Sequence, residues 1–151
     1  MAEKTIVDTS VLLYVYDRSA PEKQSRALET LDRLVQQDVG VLTPQVLAEF
    51  YVNATRKLDP PLTQEEAYQR LENYLLSWEI LEMTGRIVME AARGVRDYQI
   101  SYWDAQIWAS ARLNQIPVIL SEDFKTGAVL EGVRFVNPFA EDFDLDAWLP
   151  A

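Results

Sequence analysis

Four acidic residues lie where carboxylates from distant parts of the chain could act together. Asp8 directly follows the apolar run "TIV", and Asp123 lies two residues past the run "VILS". Glu49 lies in a helical stretch that follows another apolar run, and Asp104 lies in the first turn of a further helical stretch. In an open parallel sheet, ligands bind beyond the carboxyl ends of the strands. If the apolar runs are neighbouring parallel strands, these acids converge on one site.

Such a group of carboxylates would be a binding site for a hard cation. Carboxylates within a few ångströms repel one another, and the repulsion raises the pKa of some of them unless a cation neutralises the group. Ligation by oxygen alone favours Mg²⁺ or Mn²⁺ over zinc. A site of this kind activates water and shields the charge of a phosphate during an in-line displacement.

The composition excludes several other kinds of catalytic site. The chain of 151 residues has no histidine and no cysteine. Zinc sites of thiolate or imidazole, haem ligation by His or Cys, cysteine nucleophiles and Ser-His-Asp triads are therefore excluded. Acid–base and metal-binding groups must come mainly from the 24 Asp and Glu residues, with Lys and Tyr as minor candidates.

Each of the four acids also has a purely structural explanation. Asp8 could cap the helix that follows it, and Asp104 could be the third position of a capping box that begins at Ser101. Glu49 could be a solvated helix residue, and the acids at 122–123 could be ordinary turn residues. Taken singly, none of the acids decides between structure and chemistry.

The elements that would position these acids alternate along the chain. Strands separated by helices of this length favour right-handed βαβ crossovers and a parallel sheet. The predicted fold is α/β, a three-layer α/β/α sandwich with a mainly parallel central sheet. Strands are predicted at 4–8, 40–43, 78–83, 116–121 and 133–136, and helices from about Ser10 and at 21–37, 44–58, 63–77, 84–98 and 101–115.

Local signals mark the ends and the faces of these helices. Thr43 before Pro44 is a typical helix start, and Thr63 with Glu66 forms a capping-box pattern. In the helix at 84–98, one face is predicted to be buried and three arginines are predicted to face outward. The predicted inward residues are Ile87, Val88, Ala91, Ala92 and Val95, and the outward ones are Arg86, Arg93 and Arg96.

The domain prediction is one domain over residues 1–151, with 138–151 as an acidic and aromatic C-terminal tail. We expect the tail's Phe139, Phe143, Leu145 and Trp148 to dock on the chain's own surface. Both Trp103 and Trp108 are predicted to pack in the core, with base stacking as the alternative. No apolar run approaches the roughly 20 residues of a membrane helix. The start "MAEKTIVD" lacks a signal-peptide pattern, so a cytoplasmic location is expected.

Four motifs in order, "IVDTS", "VLAEFY", "SYWDA" and "ILSED", resemble those of the PIN-domain family, especially the VapC-type toxins of bacterial toxin–antitoxin pairs. The resemblance spans residues 4–137. It implies an Mg²⁺- or Mn²⁺-dependent endoribonuclease that hydrolyses RNA phosphodiesters. The family's acidic constellation falls on Asp8, Glu49, Asp104 and Asp123, which are the expected catalytic and metal-binding residues, and its hydroxyl positions fall on Ser10 and Ser121.

Roles and partners follow from the same resemblance. Asp8 and Asp104 are expected to be the principal metal ligands, with Asp123 completing the cluster and Glu49 holding a ligand water or a second ion. The last motif is looser in register, so Glu122 stays an alternative to Asp123. The resemblance also implies a homodimer and a small antitoxin protein that blocks the site.

The net charge of −10 is unusual for a protein that binds RNA. Phosphate is usually bound by basic side chains, and two divalent ions would change −10 only to −6. Local basic residues could compensate, although each could equally lie on a solvated helix face. The candidates are Arg18, Lys23, Arg26, Arg56, Lys57, Arg93, Arg96, Arg112 and Lys125.

Two alternatives stay open on the sequence, and two are disfavoured. The chain could be a non-catalytic PIN-like binding or regulatory module, or a nuclease that acts on DNA. A phospho-acceptor receiver domain is disfavoured because "KTIVDTS" offers one acid where a pair is needed. A phosphatase with a second Asp two residues after its first is disfavoured because Ser10 occupies that position.

Overall fold

The computed structural model describes residues 3–124 and 127–150. Within these residues, six strands form one sheet in the order β3-β2-β1-β4-β6-β5. Every neighbouring pair is parallel except β5 and β6, which are antiparallel. The strands are β1 (Thr5–Val7), β2 (Gly40–Leu42), β3 (Glu79–Ile80), β4 (Val118–Leu120), β5 (Val129–Leu130) and β6 (Val133–Val136).

Helices connect β1 to β2, β2 to β3 and β3 to β4, which confirms the predicted α/β fold with a mainly parallel sheet. Their starts follow the cap chemistry of the sequence. The hydroxyl of Thr43 accepts from the Val46 N–H at 3.1 Å, and Thr63 with Glu66 forms a complete capping box. The helices are α1 (Thr9–Tyr14), α2 (Pro21–Gln36), α3 (Pro44–Arg56), α4 (Gln64–Ser77), α5 (Gly85–Tyr98), α6 (Tyr102–Leu113) and α7 (Leu145–Trp148).

The order of the strands creates one functional edge. The chain runs outward from β1 through β2 to β3, and then returns to place β4 on the other side of β1. The strand order therefore reverses between β1 and β4. In open α/β sheets, ligands bind beyond the carboxyl ends of the strands at such a reversal. Here the last residues of the two strands, Val7 and Leu120, lie side by side in the register of the sheet.

The core lies on both faces of the sheet and is densest where α5 packs on α6. Trp108 is fully buried there, as predicted, and its indole N–H donates to the Leu130 carbonyl at 3.1 Å. A Cβ at Gly94 would lie 2.8 Å from Cζ3 of Trp108. Only a glycine at this position lets the indole lie so close to α5.

The predicted inward face of α5 is partly wrong. Val88 and Ala92 are exposed, whereas Ile87, Ala91 and Gly94 are buried. The buried positions are spaced by four and three residues and pack against α6. The apolar pattern alone pointed to the larger side chains, because a glycine that admits a neighbouring indole has no hydrophobic signal of its own.

Other sequence predictions also needed correction. The strand predicted at 78–83 is only Glu79–Ile80, and β5 and α7 had no prediction. Trp103 is 61% exposed, so its predicted core packing is wrong. It lies in the first turn of α6, which projects beyond the sheet.

The C-terminal residues pack against α2 of the same chain. Leu145 and Leu149 are buried, and Phe139, Phe143 and Trp148 pack on the core. The guanidinium of Arg33 donates to the Leu149 carbonyl and forms an ion pair with Asp146 at 3.0 Å.

Across residues 3–124 and 127–150, every helix is too short or too polar to cross a membrane.

Candidate active site

The first carboxylate lies at the junction of β1 and α1, where no loop residue separates strand from helix. Asp8 is the N-cap of α1, and its Oδ1 accepts from the Thr9 N–H at 2.8 Å. Its Oδ2 accepts from the Ser121 hydroxyl at 2.7 Å. The backbone N–H of Asp8 donates to the Leu120 carbonyl at 2.9 Å, so the residue continues the pairing of β1 with β4. Both oxygens of Asp8 therefore have defined partners at the edge where the strand order reverses.

The surroundings of Asp8 favour its protonated form. The pKa of Asp8 is raised to about 6, chiefly by burial and to a smaller extent by the nearby carboxylates of Asp123 and Glu49. The hydrogen bonds from Ser121 and Thr9 act in the opposite direction. A bound cation would remove this electrostatic cost, because it favours the ionised carboxylate.

Glu49 reaches the same site from α3. Its Oε2 lies 3.3 Å from the Thr9 hydroxyl, and its Oε1 accepts from the Gln45 amide at 3.2 Å. The Thr9 hydroxyl also lies 3.1 Å from the Val46 carbonyl, so this side chain links α1 to α3. Thr9 and Gln45 thus orient the carboxylate of Glu49.

Asp104 lies in the first turn of α6. Ser101 is the N-cap and accepts from the Asp104 backbone N–H at 3.2 Å, as its position in the sequence predicts. Among the described residues, no hydrogen bond holds the Asp104 carboxylate, so the second half of a capping box is missing. The carboxylate lies beside Ile107 in the cleft with the other acids.

The acids after β4 point in different directions. Glu122 accepts from the Tyr14 hydroxyl at 2.8 Å and pairs with the Lys23 ammonium at 2.5 Å. Asp123 remains exposed, and its backbone N–H donates to the Ser121 hydroxyl at 3.1 Å. Burial raises the pKa of Asp123, and the carboxylates of Glu122 and Asp104 add to the shift. Asp123 lines the cleft, whereas the carboxylate of Glu122 is occupied by its own partners.

The four acids line one small cleft, here called the acidic cleft, of about 170 Å³. Ser10 also lines it, but its hydroxyl lies 3.4 Å from the Glu122 backbone N–H and holds no carboxylate. Three polar residues of the cleft wall were not assigned to the site from the sequence. Thr9 was seen as part of a motif, and Gln45 could have been found because it lies one helical turn before Glu49. These missed residues are Thr9, Gln45 and Asn53.

The donor chemistry of the acidic cleft fits a hard divalent cation. All candidate ligands are carboxylates, and they come from four different elements. In residues 3–124 and 127–150, however, no three acidic side chains are already arranged around one point as a metal site. The acidic cleft therefore offers the right kind of ligand atoms, and its acidic side chains would have to rotate to surround an ion.

Comparison with known proteins gives one family. A sequence model described as PIN domain matches residues 5–129. No curated protein matches the sequence.

Several solved structures share the fold. A toxin–antitoxin complex from Klebsiella pneumoniae matches with a TM-score of 0.66 and 19% identity, over 90% of this chain and 98% of that one. VapC20 of Mycobacterium tuberculosis, a toxin that cleaves the sarcin–ricin loop, matches with a TM-score of 0.63 and 18% identity, over 87% of this chain and 99% of that one. DNA-bound VapBC from Salmonella typhimurium matches with a TM-score of 0.65 and 15% identity, over 91% of this chain and 99% of that one. At these identities, the likeness shows a common fold.

Proposed function

The chain belongs to the PIN-domain family, a family of nucleases, and from this we propose that it is an Mg²⁺- or Mn²⁺-dependent endoribonuclease, the toxin of a toxin–antitoxin pair. The observation that carries the proposal is the meeting of Asp8, Glu49, Asp104 and Asp123 at one cleft. These acids come from α3, from the start of α6 and from the ends of β1 and β4. They meet where the strand order reverses, which is the place where open α/β sheets bind their ligands.

In the proposed reaction, an RNA phosphodiester is hydrolysed in the acidic cleft. A divalent cation held there supplies a Lewis acid that activates water and neutralises charge on the phosphate. Asp8, Asp104 and Asp123 are the proposed metal ligands, and Glu49 holds a ligand water or a second ion.

The chain's own hydrogen bonds prepare two of these carboxylates. The Ser121 hydroxyl and the Thr9 N–H hold the two oxygens of Asp8 in one orientation. The Gln45 amide and the Thr9 hydroxyl do the same for Glu49. Asp104 and Asp123 are not held in this way by the described residues, so they can turn toward a cation as it binds.

Four of the nine basic residues that could bind RNA already lie in ion pairs. Lys23 pairs with Glu122, Arg93 and Arg112 both contact Glu90 at 2.6 Å, and Arg96 contacts Asp97 at 2.8 Å. Lys125 lies outside the described residues. We therefore expect metal charge rather than a basic surface to attract the phosphate.

Lys57 is the basic side chain best placed to help. It lies on a groove that shares Ser10, Leu13 and Asn53 with the acidic cleft. Among the described residues it forms no ion pair with an acid, and it is exposed. Its ammonium is therefore available to a phosphate next to the one that is cleaved.

The proposed partners are an antitoxin protein and a second copy of the chain. The solved structures of similar fold support an antitoxin, since they include toxin–antitoxin complexes. The homodimer is supported by the resemblance of the sequence to VapC toxins.

The test is cleavage of a mixed pool of structured and single-stranded RNA by purified, antitoxin-free protein. We expect cleavage with Mg²⁺ or Mn²⁺, none with EDTA, and a loss of at least 100-fold for Asp8→Asn and for Asp104→Asn, in keeping with the loss of a catalytic group. Asp32→Asn is the matched control, because Asp32 is exposed on α2 away from the cleft.

The same assay separates the alternatives. Full activity of both cleft variants would contradict the proposed site. Cleavage of single-stranded or supercoiled DNA at the same rate would support a general nuclease, and folded protein that cleaves neither nucleic acid would support a non-catalytic binding module.

A further inference from the structure

Trp103 is the one tryptophan of this chain that the fold leaves open to solvent. Its side chain is 61% exposed, whereas Trp108 is fully buried and Trp78 and Trp148 pack against the core. Exposure of a large aromatic side chain removes the stabilisation that burial would provide. The position in the sequence is also specific, because Trp103 directly precedes Asp104.

The indole of Trp103 forms a wall of a groove that joins the acidic cleft. This stacking groove has a volume of about 500 Å³, a size suited to a small organic ring system. It shares Gln45, Glu49, Asn53 and Trp103 with the acidic cleft, so the two are continuous. Its other lining residues are Ala48, Val52 and Gln106.

Hydrogen bonds fasten Trp103 to the candidate active site. The Gln45 amide donates both to the Trp103 carbonyl, at 3.0 Å, and to Glu49, at 3.2 Å. The Gln45 carbonyl oxygen accepts from the Gln106 amide at 3.0 Å. The Tyr102 ring meets the indole edge-on, with centroids 5.1 Å apart. The backbone of Trp103 is therefore tied to the side chain that also binds Glu49, while the indole is 61% exposed.

The chemistry of the stacking groove suits an unpaired nucleobase. The groove combines an aromatic face with the exposed methyl groups of Ala48 and Val52, and the amide of Asn53 can donate and accept hydrogen bonds. Stacking on an aromatic side chain is the usual way in which proteins hold a base of single-stranded RNA. Stacking also needs no positive charge, which suits a chain with a net charge of −10.

We propose that the base of a nucleotide next to the scissile phosphate stacks on Trp103, and that the stacking groove thereby positions single-stranded RNA over the acidic cleft. This inference rests on the proposed ribonuclease function and adds the mode of substrate binding. It makes Trp103 a substrate-binding residue and requires the substrate to be unpaired at that nucleotide.

The test uses an RNA oligonucleotide that the wild-type protein cleaves at one position. Binding is measured with Asp8→Asn as the cleavage-inactive background, by the change in tryptophan fluorescence and by anisotropy of labelled RNA. We expect Trp103→Ala to weaken binding by about 5- to 150-fold, and Trp103→Phe to retain most of the affinity. Tyr68→Ala removes an exposed aromatic side chain of α4 and is the matched control.

A substrate with an abasic nucleotide next to the cleavage position identifies the stacked base. With Trp103 intact in the same Asp8→Asn background, we expect the abasic RNA to lose about as much affinity as Trp103→Ala loses with the intact RNA. When the two changes are combined, the RNA affinity should fall little further than with either change alone, because both remove the same contact. Additive losses at every tested nucleotide would overturn the proposal.

Other outcomes separate this inference from the proposed function. If wild-type protein cleaves RNA and Trp103→Ala does so with unchanged affinity and kcat/KM, the stacking proposal alone is wrong. If Trp103→Ala leaves RNA affinity unchanged but weakens self-association or antitoxin binding, the groove is a protein contact and the proposal is overturned. If wild-type protein neither binds nor cleaves RNA, both proposals fail.

Discussion

The carboxylate of Asp8 caps α1 and also lines the acidic cleft, so its structural and chemical explanations are both satisfied by one geometry. The hydrogen bonds from Ser121 and Thr9 orient it, yet burial and the neighbouring acids keep its pKa raised. At the scale of one residue, the surroundings of Asp8 suit a bound cation. Without a cation, the ionised carboxylate lowers the stability of the fold.

This cost predicts the pH dependence of stability. The pKa of Asp8 is about 6 in the folded chain against an ordinary value of 3.8, so the folded state binds the proton more tightly than the unfolded state. The contribution of Asp8 to the free energy of unfolding therefore increases as the pH falls from above 6 toward 4. Above pH 6 the buried charge costs up to about 3 kcal/mol.

We therefore expect Asp8→Asn to raise the free energy of unfolding by about 1–3 kcal/mol at pH 8 in EDTA, and to have little effect near pH 4. Urea unfolding at pH 4, 6 and 8 measures the difference. Asp32→Asn should change little at any of these pH values. A destabilised Asp8→Asn at pH 8 would show that hydrogen bonding outweighs burial at this position.

At the scale of elements, the contact of α5 with α6 determines where Asp104 lies. Gly94 allows the Trp108 indole to pack against α5, and Trp108 is held in place by its bond to the Leu130 carbonyl. Glu90 of α5 also pairs with Arg112 of α6 at 2.6 Å. The helix that carries Asp104 is therefore held against α5 at Trp108 and Arg112.

Gly94→Ala tests this contact. The added Cβ would lie 2.8 Å from the indole, and we expect a net destabilisation of about 1–3 kcal/mol despite the better helix propensity of alanine. Gly85→Ala, at the start of the same helix, has no atom within 4 Å of its added Cβ. Thermal unfolding should show Gly85→Ala unchanged or more stable, and equal stability of both variants would contradict the proposed packing.

The sequence predicts where strands and helices lie better than it predicts which side chains of a helix are buried. Alternating strands and helices, the caps at Thr43 and Thr63, and the order of the acidic motifs follow from local patterns. The exposure of Trp103 could not be predicted, because hydrophobicity alone argues for burial. Nor could the partners of Glu122, since Tyr14 and Lys23 approach it only after folding.

At the scale of the whole molecule, the charge of −10 limits how RNA can bind. Because six of the 14 Lys and Arg residues already lie in ion pairs within the described part of the chain, we expect affinity to come mainly from the metal site, from stacking and from the remaining basic groups. Such a protein should release few counterions when it binds RNA, so its affinity should fall only weakly with salt.

Lys57→Gln tests the contribution of a single free cation. We expect the RNA affinity to fall by several-fold and the slope of log K against log salt to become shallower by about 1. Lys4→Gln is the control, since Lys4 precedes β1 at the opposite edge of the sheet and pairs with Glu79. Binding measured from 50 to 200 mM salt distinguishes them, and equal slopes for both variants and the wild type would exclude a phosphate contact at Lys57.

The hydrogen bond from Ser121 to Asp8 joins residues that are 113 positions apart. During synthesis, a ribosome releases the chain from its N-terminus, so Asp8 emerges long before its partner and before β4 can occupy the centre of the sheet. A prematurely terminated product that ends before β4 therefore has Asp8 and Glu49 but no assembled cleft. For an enzyme proposed to cut RNA inside the cell that makes it, this topology delays activity until β4 has been synthesised.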